Sequence, residues 1–253
     1  MGEAEVNADK PRDRTLAILS YHRVGPPPGG WETWFCVPES VFAEQLRHLR
    51  ANVWCVVDVV TLLRGLTDPD SLPERTALIT FDDGFRSVSE YALPWLRTFG
   101  YPAVLFIPTA FIGRRNWFDR DWEPQEAICD WDDLRELERN GVSIQSHGVS
   151  HRQFSGLDPA EQEEELVRSK ATLEDGLAKS IEVFAFPYGD AGTHSPMVKA
   201  ALERAGYRAA CTYGGGPITT PIEDPYHLPR LAMGPDTNLE LELGLVCLPG
   251  HAP

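Results

Sequence analysis

Several stretches of this chain are continuous apolar, β-prone runs, notably Thr15 to His22, Ala77 to Phe81 and Ala103 to Ile107. Shorter runs of the same kind lie at Val142–Ser146, Glu182–Phe186, Tyr207–Thr212 and His227–Met233. A strand with one solvated face alternates apolar and polar residues, whereas a strand buried on both faces does not. Segments with helical spacing fall between these runs; one, Glu39 to Arg50, carries Val41, Phe42, Leu46 and Leu49 on one side. Strands alternating with helices in this way predict a parallel sheet covered by helices. Seven or eight such units in 253 residues favour a distorted, incomplete β/α barrel over an open sheet. No internal repeat or domain boundary is visible, so residues 15–253 are expected to form one domain behind a mobile leader, 1–14.

Local signals set the element ends. Asp58, Asp130 and Asp158 precede helical patterns as N-caps, the last in Asp158-Pro-Ala-Glu161, a capping-box start with Pro at the first helical position. Gly100 ends the helix that follows Asp82-Asp83, and a final helix is expected over 238–248. Residues 108–130 form an aromatic-rich insertion, and loops of that length inside a compact domain are usually functional.

The net charge of −15 and the lack of a basic stripe argue against a nucleic-acid partner and against docking on an anionic membrane. No apolar run is long enough to span a bilayer. Five widely spaced cysteines without a CxxC pair read as reduced thiols. The charged first residues carry no apolar signal-peptide core, so a cytoplasmic location is expected.

The residues able to do chemistry gather at strand ends. Ala77-Leu-Ile-Thr-Phe-Asp-Asp-Gly84 is a strand that stops in two carboxylates and a glycine; alone, that tripeptide is equally a turn and N-cap. His22, His147 and Pro187-Tyr188 also sit at or just past predicted strand ends. In a parallel barrel these ends open on one face, where active sites are built. His147 and His151 are four apart, and a helical turn there would set both imidazoles on one side, about 5–6 Å apart. Two histidines and an aspartate leave an open position for water on a divalent cation. Zinc suits that set, and can lower the pKa of bound water from about 16 towards about 7; cobalt, nickel and ferrous iron also fit.

Thr80-Phe-Asp-Asp-Gly84, Ser146-His-Gly-Val-Ser-His151 and Phe186-Pro-Tyr-Gly189, in this order and spacing, resemble the polysaccharide deacetylases of carbohydrate esterase family 4. The resemblance implies metal-dependent hydrolysis of N-acetyl groups on amino sugars. It makes Asp82 the general base, Asp83, His147 and His151 the metal ligands, and Pro187 with Tyr188 the acetyl pocket, the Tyr188 backbone N–H holding the oxyanion. Two features depart from the family pattern. No arginine precedes Pro187, where many relatives have one to steady the base, and no C-terminal Leu-x-His supplies an acid. Leu19-Ser-Tyr-His22-Arg-Val resembles the start of a circularly permuted branch that includes the poly-N-acetylglucosamine deacetylases, which makes His22 the candidate acid; a structural His22 is the alternative. Arg230 is a candidate substrate contact and a candidate stand-in for the missing arginine, a surface salt bridge being the other reading. Trp117 and other loop tryptophans could stack on sugar rings or simply pack the insertion.

The expected reaction is therefore removal of an N-acetyl group from an amino sugar, in a soluble glycoside, oligosaccharide or biosynthetic intermediate. An exported polysaccharide N-deacetylase, an amidase on a small non-sugar amide and a non-catalytic carbohydrate-binding relative are the alternatives. Oligomeric state is not legible.

Overall fold

A computed structural model of the protein describes residues 14–189 and 196–243. Of the expected leader only Arg14 falls within them, and it belongs to the fold: its carbonyl accepts from Thr220 N at 3.0 Å and its guanidinium donates to the Leu72 carbonyl. His194, Ser195, Cys247, His251 and the end of the expected last helix lie outside the described residues.

In chain order the elements are β1 (Thr15–Tyr21), β2 (Arg23–Val24), β3 (Cys36–Val37), α1 (Glu39–Ala51), β4 (Cys55–Val56), α2 (Val59–Gly65), β5 (Arg75–Phe81), α3 (Leu93–Phe99) and β6 (Ala103–Ile107). They continue with α4 (Trp131–Arg139), β7 (Val142–Ser146), α5 (Pro159–Leu177), β8 (Val183–Ala185), α6 (Pro196–Ala205), β9 (Ala209–Cys211), β10 (Ile218–Thr219), β11 (Leu231–Ala232) and α7 (Leu239–Glu242). The three aspartate caps are present. Asp58 accepts from Thr61 N, and Asp130 and Asp158 each close a capping box, with Asp133 and Glu161. Gly100 ends α3 at φ 67°, and a wide π-type turn, Val88–Ala92, precedes the proline of that helix.

Strands β1, β5, β6, β7, β8 and β9 are parallel neighbours in that order, with β1 and β5 in full register from Thr15↔Arg75 to Tyr21↔Phe81. One strand was expected from His227 to Met233, but only Leu231–Ala232 is strand. That segment nonetheless curls the sheet round. Leu228 bridges Cys211 in parallel at one edge, and Leu231 and Ala232 pair with Leu19 and Ser20 of β1 at the other. The result is the expected distorted, incomplete β/α barrel.

Both faces of the sheet are buried, which explains the unbroken apolar runs. Leu16, Ile18, Leu78, Val104, Phe106 and Ala185 form an inner cluster that α2 completes with Val59, Leu62 and Leu63. Their strand neighbours Leu19, Ile79, Phe81, Leu105 and Ile107 pack outward against α1 and α3 through Leu46, Leu49, Leu93 and Leu96. Each such side chain contributes roughly 1.5–3 kcal/mol on burial, so strand register, and with it the placement of the strand ends, is strongly specified. Among the described residues no helix is long and apolar enough to cross a membrane.

Candidate active site

Period-two alternation in β5 sends Leu78 and Thr80 into the barrel, and Asp82 continues the series one step beyond the strand. Asp82 N still bonds the Tyr21 carbonyl at 2.9 Å, so the carboxylate leaves a backbone that is held in place. It meets Arg230, whose Nη1 and Nη2 donate to Oδ1 and Oδ2, each at 2.7 Å. Arg230 is itself fully buried and also donates to the Thr212 carbonyl and Thr80 Oγ1. Burial alone would raise the Asp82 pKa, but the guanidinium, with His147 and His22 nearby, holds it below the ordinary carboxylate range. Arg230 thus braces Asp82 in the place of the arginine that the Pro-Tyr-Gly segment lacks. The reading of Arg230 as a substrate contact is corrected: its side chain is used up inside the barrel and does not line the cleft.

Asp83 turns the other way because the chain reverses there. Asp83 has φ 69° and Gly84 φ 74°, and a Cβ on Gly84 would lie 2.6 Å from Ile107 Cγ1. Asp83 Oδ1 sits 2.9 Å from His151 Nε2 and 3.5 Å from His147 Nε2, yet this buried oxygen receives no hydrogen bond. His147 Nδ1 lies 2.7 Å from the Ala185 carbonyl, which can only accept. An Nδ1 proton donated there leaves Nε2 as the ring nitrogen facing Asp83, the atom that would bind a cation. One ligand atom from each of Asp83, His147 and His151 lies within 4.8 Å of the others. Lone pairs crowded on an orphaned buried oxygen fit a divalent cation, in an oxygen and imidazole set suited to zinc.

The two histidines do not meet through a helical turn as the spacing suggested. Residues 147–151 are irregular, with Gly148 at φ 80° and His151 at φ 56°, and the imidazole centroids come to 5.0 Å. Asp83, His151 and Tyr188 (φ 60°) are three of only five non-glycine residues with positive φ among the described ones. Strain of this kind, roughly 1–3 kcal/mol each, collects where a site dictates backbone conformation.

The ligand triad and Asp82 open into a cleft also lined by His22, Tyr188, Tyr213, Asp119 and Trp122. His22 packs between Phe35 and Tyr213, at 4.8 and 5.5 Å between centroids, and burial lowers its pKa despite the nearby Asp83 and Asp82. Tyr188 is half exposed, and its hydroxyl is 3.3 Å from His151 Nδ1; Pro187, expected in the acetyl pocket, is buried and does not line the cleft. Trp117, the tryptophan expected at the substrate, is exposed but does not line the cleft, whereas Trp122 of the same insertion does. Two short turns, Thr109–Phe111 and Trp117–Asp119, interrupt the insertion, and no periodicity announces them. The insertion is anchored by Arg23, next to His22: its guanidinium pairs with Glu123 at 3.1 Å and with Glu126, and lies 3.9 Å over the Phe85 ring. Asp119, which sequence reasoning missed, has its carboxyl pushed up to about 6 by burial first and by Asp83 second.

A parallel barrel with a His-His-Asp triad and an arginine-braced aspartate at its mouth defines a candidate metal-dependent hydrolase. The sequence profile of the polysaccharide deacetylases matches residues 70–210, and the chain belongs to that family. YxkH of Bacillus subtilis is 25% identical over 232 residues, covering 92% of this chain and 75% of that protein. The poly-beta-1,6-N-acetyl-D-glucosamine N-deacetylase of Staphylococcus aureus is 25% identical over 214 residues, covering 80% of this chain and 69% of its own length. Among solved structures, IcaB from Ammonifex degensii superposes with a TM-score of 0.77 at 25% identity, over 92% of this chain and 96% of that one. The protein is a deacetylase of the metal-dependent hydrolase class.

Proposed function

We propose that the protein removes acetyl groups from N-acetylglucosamine units of an oligo- or polysaccharide, with Asp83, His147 and His151 holding one zinc ion. The observation that carries this is the division of labour between adjacent acids: Asp83 faces the two imidazoles, while Asp82, held by two 2.7 Å hydrogen bonds from Arg230, stays ionised beside them. An ion held by these three residues would supply Lewis acidity for the acetyl carbonyl and for water.

The rest falls to the chain's own side chains. Asp82 accepts the proton of the attacking water; its depressed pKa keeps it ready at neutral pH, and Arg230 fixes its orientation. The Tyr188 backbone N–H steadies the oxyanion, a contribution of about 3–4 kcal/mol for one such donor. His22 protonates the departing amine. Burial lowers its pKa and so depletes the imidazolium at neutral pH, which makes the proton it donates one that it takes up during the reaction. Trp122, exposed at the cleft edge, offers an apolar face to a sugar ring. The Staphylococcus aureus relative is a poly-beta-1,6-N-acetyl-D-glucosamine N-deacetylase, which favours a saccharide over a small amide as the substrate.

The test is acetate release from β-1,6-linked N-acetylglucosamine oligomers, with and without a chelator. Chelator-sensitive release supports the reading. Turnover of formamides or cyclic amides with no release from the sugars would replace it with an amidase.

A further inference from the structure

The His147–His151 loop is irregular, carries two residues of positive φ, and has to bring two imidazoles to one carboxylate oxygen. Its backbone is held from both sides. The carbonyls of Gly148 and Val149 accept from Thr109 N and Ala110 N, both at 3.0 Å, and His147 N donates to the Ile107 carbonyl. On the other side stands one acid from the middle of α5. Glu165 Oε2 accepts from Val149 N at 2.5 Å and Ser150 N at 3.0 Å, and its Oε1 accepts from Ser150 Oγ at 2.5 Å. One turn along α5, fully buried Ser169 accepts from Ser146 Oγ at 2.7 Å, and that hydroxyl in turn accepts from Gly148 N.

Glu165 is 8% exposed, forms no ion pair among the described residues and does not line the catalytic cleft. A buried carboxylate on an apolar helix face is costly unless its oxygens are satisfied, and here three donors of a single loop satisfy them. Glycine at 148 serves the same contact: a Cβ there would lie 2.8 Å from Glu165 Oε2.

We propose that Glu165 is a positioning residue for the cation site: its carboxylate is the template on which residues 148–150 fold, so that His147 and His151 reach Asp83. The proposal rests on the reading that this triad holds a divalent ion. Without Glu165, two buried N–H groups and a hydroxyl lose their acceptor, and the loop loses its carboxylate hold on the α5 side, which favours relaxation of His151 from its left-handed conformation.

The experiment titrates Zn²⁺ into the chelator-stripped full-length protein at a temperature where circular dichroism shows each variant folded. Glu165→Ala is expected to weaken Zn²⁺ binding about 10–100-fold, as loss of groups that orient metal ligands does. Glu165→Gln should stay within a few-fold of wild type, since its amide oxygen can accept the N–H groups and its NH₂ can donate to Ser150 Oγ. Wild-type affinity in Glu165→Ala, or Glu165→Gln no better than Glu165→Ala, overturns the proposal. If Glu165→Ala does not fold, Gly148→Ala carries the same expectation, and unchanged affinity in it overturns the proposal too. A wild-type chain that binds no Zn²⁺ instead overturns the cation reading beneath it.

Discussion

Asp82 and Arg230 are 148 positions apart and form two parallel hydrogen bonds of 2.7 Å inside the barrel. The pair fixes both the charge and the direction of the acid proposed to act as base. Because Arg230 is fully buried, breaking the pair from its side leaves an uncompensated carboxylate in the core. Arg230→Met is therefore expected to destabilise the protein by about 3–5 kcal/mol, read as a fall in denaturant midpoint. Arg230→Lys keeps the charge but not the fork, and should lose activity with a smaller loss of stability.

The two neighbouring acids should fail differently. Asp82→Asn is expected to retain zinc while kcat falls by about 10²–10⁴. Asp83→Asn should lose zinc and activity together. Equal zinc loss in both, measured by elemental analysis after dialysis, would contradict their division of roles.

Asp119 gives a stability signature with a definite sign. Its pKa is raised from 3.8 to about 6 in the folded protein, so its carboxylate opposes folding. The penalty grows as pH rises from about 4 to about 6 and is fully present above that window. Asp119→Asn should then stabilise the metal-stripped protein above pH 6, by about 1 kcal/mol once partial exposure is discounted, and have little effect near pH 4. Thermal melts at the two pH values check this; an equal shift at both would contradict it.

Gly189 lies where the Tyr188 turn meets Tyr213. A Cβ there would be 2.2 Å from Tyr213 Cβ and 2.5 Å from its backbone nitrogen, and Gly189 has φ 59°. Main chain cannot rotate aside like a side chain, so Gly189→Ala should cost about 1–3 kcal/mol and displace Tyr188. Melting temperature and kcat are expected to fall together.

Much of this site was legible because its residues fall at the ends of strands whose apolar runs mark them. Asp82, Asp83, His147 and Tyr188 each follow such a run, and a parallel barrel collects those ends on one face. What long-range packing decides was not legible. His-x-x-x-His suggested a helical turn, but Gly148 and the Glu165 carboxylate impose a loop that reaches the same convergence another way. Arg230 carries no local sign of its partner, because the segment closing the sheet, 228–232, has almost no strand of its own. Trp122 rather than Trp117 reaches the cleft because Arg23, Glu123 and Glu126 fix the insertion.

The central claim is that Asp83, His147 and His151 close on one cation. Calorimetric titration of Zn²⁺ into the chelator-stripped protein tests it most directly. The account predicts one ion per chain, abolished in His151→Ala and retained in Asp82→Asn. Binding that survives His151→Ala undiminished, or no binding by the wild-type chain, would contradict it.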